Sequence, residues 1–347
     1  MAALGQPNDN ASEEKKDNES SDTCIATQNY DGKKKLKYIE KDTFLSNEHT
    51  KMYNELRLYV DNVLQKKIKW ELSILPPKLL ALVEANPSNM EQKEAAYNKQ
   101  KNSKNAQSLP KEYATESMYQ YLSKYATEAT LIRSITGSDY RLEIAKGAIL
   151  ETVQWRVSSK VDEIKPDVFE KSIRTKVIYS MNQRDKKGHL ICYFKVLETP
   201  PDDPWMIVRA AIWTIEKGVR MANQKGVYQI MWLLDIEHLK YATVPPLQIL
   251  KEIAHLLQYY YPERLFRAYI LYSPWVFRMV WKMISGLLTE NTKSKIIVPG
   301  WYESAKYETF QENIDKNCLD KRFGGDLDLK YTYEWEIEQY NAEDGYK

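Results

Sequence analysis

The sequence predicts an α/β protein in which an all-helical N-terminal part precedes a mixed, mostly parallel sheet with helices packed on it. Three observations carry this. Apolar residues recur at helical spacing over about the first 160 residues. Beyond them, short β-branched and aromatic runs alternate with long amphipathic segments, the pattern of βαβ units. Val227–Ile236 and Arg267–Tyr272 are almost continuously apolar, as strands buried on both faces must be.

The elements follow in order. Residues 1–43 read as a disordered tail, since Leu4, Ile25 and Tyr30 are too few to offset the entropy of ordering it, and Lys33–Lys37 is either a solvated charge run or a membrane-attracting patch. Residues 44–110 form a helical extension with a polar linker. Met52, Leu56, Leu58, Val60, Val63 and Leu64 keep helical spacing, Pro76-Pro77 opens a second run at Leu79–Val83, and Asn86–Pro110 is polar. Residues 111–165 are a helical subdomain whose amphipathic run Leu142–Trp155 has Asp139 as its expected N-cap.

Residues 166–328 form the α/β domain. Val177–Tyr179 and Leu190–Val196 flank a hairpin turn at Asp185–Gly188. A helix over Trp205–Asn223 leads to the strand Val227–Ile236. Pro245-Pro246 opens a helix that Pro262 stops, and the strands Arg267–Tyr272 and Ser294–Val298 complete the sheet. Residues 329–347 are a C-terminal tail. Its alternation of Tyr331, Tyr333, Trp335 and Ile337 with Thr332, Glu334, Glu336 and Glu338 predicts an edge strand.

The chain has 347 residues, 43% of them hydrophobic, enough for a sizeable core. Its 50 Lys and Arg nearly balance 48 Asp and Glu. A formal charge of +2 argues against a dedicated nucleic-acid binder, which carries a pronounced basic excess. No G-x-x-x-x-G-K-[ST] or G-x-G-x-x-G follows a strand, and the four histidines form no H-E-x-x-H pair. Cys24, Cys192 and Cys318 are too scattered for a disulfide framework or a four-ligand zinc site. Asp326 and Asp328 have no third ligand nearby. No catalytic constellation, cofactor or metal is expected. The start of the chain shows no signal-peptide pattern, so the expected location is cytoplasmic.

One segment is peculiar. Pro274–Leu288 predicts a helix on which Arg278, Lys282 and Ser285 line a single narrow stripe, while Trp275, Val276, Phe277, Met279, Val280, Trp281, Met283, Ile284, Leu287 and Leu288 cover the rest. A surface helix needs an apolar stripe only a little over about 100° wide. Such a helix is either sandwiched in the core or covers a lipid-sized cavity on one side and meets a membrane on the other. Pro274, Arg278 and Lys282 argue against a bilayer-spanning segment.

The residues around this segment are familiar. Tyr260–Arg264 (Tyr-Tyr-Pro-Glu-Arg), the strand Ala268–Trp275, the apolar helix and Thr292–Ile296 follow in order. Upstream lies Trp232-Leu233-Leu234-Asp235, and downstream Phe323-Gly324-Gly325. Thr130–Arg133, Ala145-Lys146 and Trp155-Arg156 stand in the helical part. Over residues 112–340 this order resembles the CRAL-TRIO lipid-binding family, most of all its phosphatidylinositol transfer branch. The resemblance implies an apolar pocket for one lipid, lined by Ile230, Trp232, Leu234, Ile270 and Tyr272. It implies a gate helix carrying Trp275, Phe277, Met279, Val280, Trp281, Met283, Ile284 and Leu287. It also implies a headgroup site of Glu263, Thr292 and Lys295, with Lys293 adding charge. The chemistry is apt: a phosphodiester wants a cation and a hydroxyl donor, and inositol hydroxyls want a carboxylate acceptor; the alternative is that Glu263 pairs structurally with Arg264 or Lys295.

Two departures mark this chain. Ser138 stands where that branch has a basic residue, and Ile230 and Trp232 stand where it has hydroxyls for a choline-type headgroup. The implied partners are a phospholipid, phosphatidylinositol foremost, and a membrane surface visited peripherally and transiently. No nucleic acid is implied, and the chain is expected to be a monomer. A carrier of a sterol or isoprenoid, or a scaffold regulating a partner, are the other readings.

Overall fold

A computed structural model describes residues 47–72, 113–174, 177–180, 182–196, 203–223, 227–299 and 307–342. The expected tail at residues 1–43 and the linker Asn86–Pro110 lie outside the described residues.

The helical unit consists of α1 (Asn47–Leu64), α2 (Glu116–Tyr125), α3 (Glu128–Gly137) and α4 (Leu142–Ser158). Leu56, Val60 and Val63 recur on one face of α1 and share a core with Trp70, Leu122, Leu131, Ile135, Ile149 and Val153. The described part of the helical extension is therefore packed into the same unit as the helices after residue 113. Thr127 caps α3 by accepting from Thr130 N at 3.3 Å. Asp139 is not the cap of α4. It and Tyr140 take left-handed conformations (φ 50° and 57°) in the turn, and Arg141 occupies the cap position.

After α5 (Glu170–Arg174) come β1 (Ile178–Tyr179) and β2 (Leu190–Lys195), antiparallel to one another as the hairpin reading expects. Then follow α6 (Trp205–Asn223), β3 (Ile230–Asp235), α7 (Leu247–His255, continued by a π-turn Leu256–Tyr260), β4 (Leu265–Leu271), α8 (Val276–Ser285), α9 (Glu290–Ser294) and β5 (Ile296–Ile297). The strands lie in the order β1-β2-β3-β4-β5, and every pair after the first is parallel. One row crosses four strands: Cys192, Trp232, Ala268 and Ile296 are register partners.

Alternation along the strands separates two faces. Ile191, Tyr193, Met231, Leu233, Tyr269 and Leu271 point to one side, where Phe310, Ile314, Leu319 and Phe323 cover them. The other side faces α6, and Gly218 makes that contact close: a Cβ there would lie 2.9 Å from Ile230 Cδ1 and 3.4 Å from Cys192 Sγ. Burial pushes the Cys192 thiol up to about 12, so it is an inert core group and not a nucleophile.

The helical unit docks through Trp155-Arg156. The Trp155 ring stacks on Tyr260 (centroids 4.2 Å apart) and meets the edge of Tyr261 at 5.9 Å. Arg156 donates from Nη1 and Nη2 to the two oxygens of Glu216 on α6, each at 2.8 Å, and from Nη2 to Asp162 at 2.6 Å. This bidentate, buried geometry is what guanidinium supplies and ammonium does not.

The expected edge strand at the C-terminus is a helix, α10 (Tyr333–Asn341). Thr332 caps it by accepting from Trp335 N at 3.1 Å, and Glu334 and Glu336 in the first turn suit its positive N-terminal end. Tyr331 and Trp335 meet ring to ring at 5.6 Å, four residues apart, which a helical turn allows and an alternating strand does not.

Candidate ligand cavity

On the α6 side of the sheet lies a cavity of about 650 Å³. Its floor is Ile230, Trp232 and Leu234 of β3 with Ala268 and Ile270 of β4. These alternate along both strands, except that a register irregularity at Ile230/Met231 brings Leu265 to the cavity and leaves Phe266 on the opposite face. Tyr272 does not join them. Its φ of 54° turns the chain at the end of β4, its ring packs toward Phe323 on the opposite side, and its hydroxyl donates to Arg322 O at 2.6 Å.

Helix α8 closes one side of the cavity. Phe277, Val280, Trp281, Ile284 and then Leu287 recur three or four residues apart and face inward. Trp275 (59% exposed), Met279 (40%) and Met283 (41%) sit four apart on the opposite face and do not line the cavity. The alternative of a helix sandwiched in the core is thereby overturned, because that apolar stripe meets solvent. Arg278 and Lys282 are exposed beside it.

The far end of α8 is clasped by a residue that periodicity could not single out. Gln258, in the π-turn of α7, donates to Leu287 O and accepts from Thr289 N, each at 2.9 Å. One amide thus satisfies a donor and an acceptor exposed where α8 ends and α9 begins.

Glu263, Thr292 and Lys295 all line the same cavity, as do Asn291 and Thr289. Lys295 Nζ donates to Glu263 Oε2 at 2.7 Å, and Asn291 Nδ2 donates to Oε1 at 2.9 Å. Both side chains of the ion pair are mostly buried, 19% and 16% exposed. Thr292 shares a hydroxyl hydrogen bond with Thr289 at 2.9 Å at the start of α9. Lys293 instead pairs with Glu290 at 2.7 Å. Glu263 holds a left-handed backbone (φ 53°), so the carboxylate is aimed at Lys295 from a conformation that non-glycine residues rarely adopt.

Ser138 lies in the wall, buried, and Arg141 lines the cavity three residues later. Arg141 Nε donates to Ser138 O at 3.1 Å. A cation is therefore present at this wall although Ser138 itself is neutral. The sequence signal was available, because Ser138 to Arg141 spans a single turn.

A helical unit docked on a mostly parallel sheet, with an apolar cavity beneath an amphipathic helix, defines a fold that can enclose an apolar ligand. Residues 174–325 match the family described as CRAL/TRIO domain, the family that the order of the sequence motifs resembles. Patellin-6 of Arabidopsis thaliana is 27% identical over 212 residues, 57% of this chain and 51% of the relative. Patellin-5 of the same plant is 24% identical over 213 residues, 57% of this chain and 31% of the relative. Phosphatidylinositol transfer protein PDR17 of Saccharomyces cerevisiae is 30% identical over 132 residues, 37% of this chain and 35% of that protein. The chain thus spans between a third and a half of the length of these relatives. Among solved structures, the crystal structure of Sfh5 superposes with a TM-score of 0.51 at 12% identity, covering 86% of this chain and 98% of that one, which establishes the shared fold.

Among the described residues no helix is long and apolar enough to cross a membrane.

Proposed function

We propose that the chain holds one phospholipid, phosphatidylinositol, with its acyl chains against the β3–β4 floor and its headgroup at Glu263, Thr292 and Lys295, and exchanges it between membranes. The observation that carries this reading is a cavity with an apolar floor and a carboxylate–ammonium–hydroxyl cluster on its wall. Glu263 is the partner of Lys295 in this structure. A bound phosphodiester would take over the ammonium and free the carboxylate to accept from inositol hydroxyls. Arg141 supplies a second cation in place of the one absent at Ser138. The distant likeness to a protein named for phosphatidylinositol transfer supports the headgroup choice.

The floor offers Ile230 and Trp232 where a choline-type headgroup would need hydroxyls, which disfavours phosphatidylcholine in that position. Each acyl CH₂ gains roughly 0.8 kcal/mol on leaving water. A lipid leaving a bilayer gives up a similar amount, so extraction is near balance and the protein's contribution is a dry route. Trp275, Met279 and Met283, with Arg278 and Lys282 beside them, suit contact with an anionic membrane surface while α8 opens.

The test is mass spectrometry of organic extracts of the purified protein beside a Lys295→Ala variant. Stoichiometric phosphatidylinositol in the first and its loss from the second is the expected result. A sterol or isoprenoid indifferent to Lys295 would change the ligand class. A folded protein with no lipid would favour a scaffold.

A further inference from the structure

A second pocket, of about 500 Å³, lies between the helical unit, α6 and the turn after α7, separated from the apolar cavity by a wall that includes Tyr125, Tyr261 and Arg264. Its character is opposite. Lys124, Arg133, Arg156, Arg220 and Arg264 line it, against only two carboxylates, Asp162 and Glu216. Arg156 engages both of those acids.

Arg133 and Arg264 are therefore left with neutral partners. Arg133 is 4% exposed, its Nη2 donates to Thr130 Oγ1 at 3.0 Å, and its Nη1 is buried with no hydrogen-bond partner among the described residues. Arg264 Nη1 donates to Asn223 Oδ1 at 3.2 Å and to Tyr228 O at 2.9 Å. Both guanidinium groups stand over the ring of Tyr228, at 5.4 and 5.8 Å from its centroid. Desolvation, and then the neighbouring Arg133 charge, holds Arg264 below the ordinary guanidinium range, and desolvation does the same to Arg133. Two adjacent, desolvated cations whose hydrogen-bond partners are neutral repel one another, with Glu216 only a partial counterweight at Arg264, and a buried N–H left unpaired adds its own penalty. The group that relieves all three at once is an anion with several acceptor oxygens, which the planar fork of a guanidinium binds in bidentate fashion.

We infer that this pocket is a second, polar binding site that takes a phosphate group between Arg133 and Arg264, independent of the lipid headgroup cluster. The phosphate belongs either to a small soluble ester or to a lipid headgroup presented at a membrane.

Thermal unfolding of the full chain with inorganic phosphate, against sodium chloride at equal ionic strength, tests this. Phosphate should raise the Tm by a few degrees at saturation, about what mass action gives for a ligand well above its dissociation constant. Arg133→Met removes an unpaired buried charge, so without phosphate its Tm should equal or exceed that of the parent, and the phosphate-induced rise should vanish. Arg264→Gln, at a more exposed position, should also abolish the rise and serves if Arg133→Met does not fold. Lys295→Ala should retain it, which separates this site from the headgroup cluster whatever that cluster binds. Glycerol 3-phosphate matching inorganic phosphate would assign the group to soluble esters. A rise seen only with phosphatidylcholine vesicles containing phosphatidic acid, and lost in Arg133→Met, would assign it to a lipid. No rise over the chloride control with either phosphate or the phosphatidic-acid vesicles, or a rise that survives both arginine variants, overturns the inference. So does binding that appears only when the chain is ended after Ala342, because the acidic residues Glu343 and Asp344 would then be the natural occupant.

Discussion

Lys217 of α6 and Glu336 of α10, 119 residues apart, form an ion pair whose side chains are 3% and 0% exposed. Tyr331 donates its hydroxyl to the same carboxylate oxygen at 2.5 Å, and the Trp213, Tyr331 and Trp335 rings surround the ammonium at 5.0–5.7 Å. The C-terminal helix is therefore locked to the middle of the domain by a charge that cannot reach water. Glu336→Ala strands that charge, and urea unfolding should show a loss of about 3–5 kcal/mol. Replacing both residues by Met should recover most of it, which separates the stranded charge from simple loss of packing.

The backbone of Glu263 provides a second test. Glu263→Ala and Glu263→Gly both remove the partner of Lys295, but only glycine occupies φ near 53° without strain. Denaturant titration should place the glycine variant above the alanine variant by about 1 kcal/mol. Equal stabilities would show that the left-handed conformation relaxes once the ion pair is gone.

Gln258 clasps the junction of α8 and α9 with one amide. Gln258→Leu keeps the bulk and removes both hydrogen bonds, each worth about 1 kcal/mol. If lipid exchange proceeds as proposed, through opening of this junction, fluorescent-lipid exchange between vesicles should accelerate several-fold, since the junction is held less tightly. Slower exchange would mean that the clasp guides closure and does not restrain opening.

His255, at the end of α7, stacks on Tyr259 at 4.4 Å, and burial holds its pKa below the ordinary 6.5. The folded state thus binds this proton less readily than the unfolded chain. Stability should fall as pH drops through about 6.5, where the unfolded chain protonates first. His255→Gln should flatten the stability profile between about pH 7 and 5.5. An unchanged slope there would assign it to other groups.

Much of this was legible from spacing. The alternation of Ile230, Trp232 and Leu234 puts them on one face of β3, the face that lines the cavity, whereas the gate-helix set did not separate the inward Phe277, Val280, Trp281, Ile284 and Leu287 from the exposed Trp275, Met279 and Met283. Tyr272 failed because alternation assumes an extended backbone, and a positive φ ends it at that residue. The C-terminal helix failed because Tyr331, Tyr333, Trp335 and Ile337 fit period two, while Thr332 as a cap and the contact from Tyr331 to Trp335 decide for a turn. Arg133 and Arg264 could be named but not interpreted. The pocket between them is assembled from α3, α6 and the turn before β4, which no local pattern joins.

The docking of Trp155 on Tyr260 bears on how the molecule can be cut. The family match begins at residue 174, yet Ser138, Ile144, Ala148 and Thr152 of the helical unit also line the cavity. A fragment expressed from residue 174 to 325 would lack that wall and the partners of Tyr260, Tyr261 and Glu216. It would also leave Lys217 buried without Glu336. Such a fragment would present a lipophilic trough to water, and its aggregation would say nothing about the stability of the sheet. A piece that keeps the whole cavity lining and the partner of Lys217 must reach from Tyr125 to Glu336.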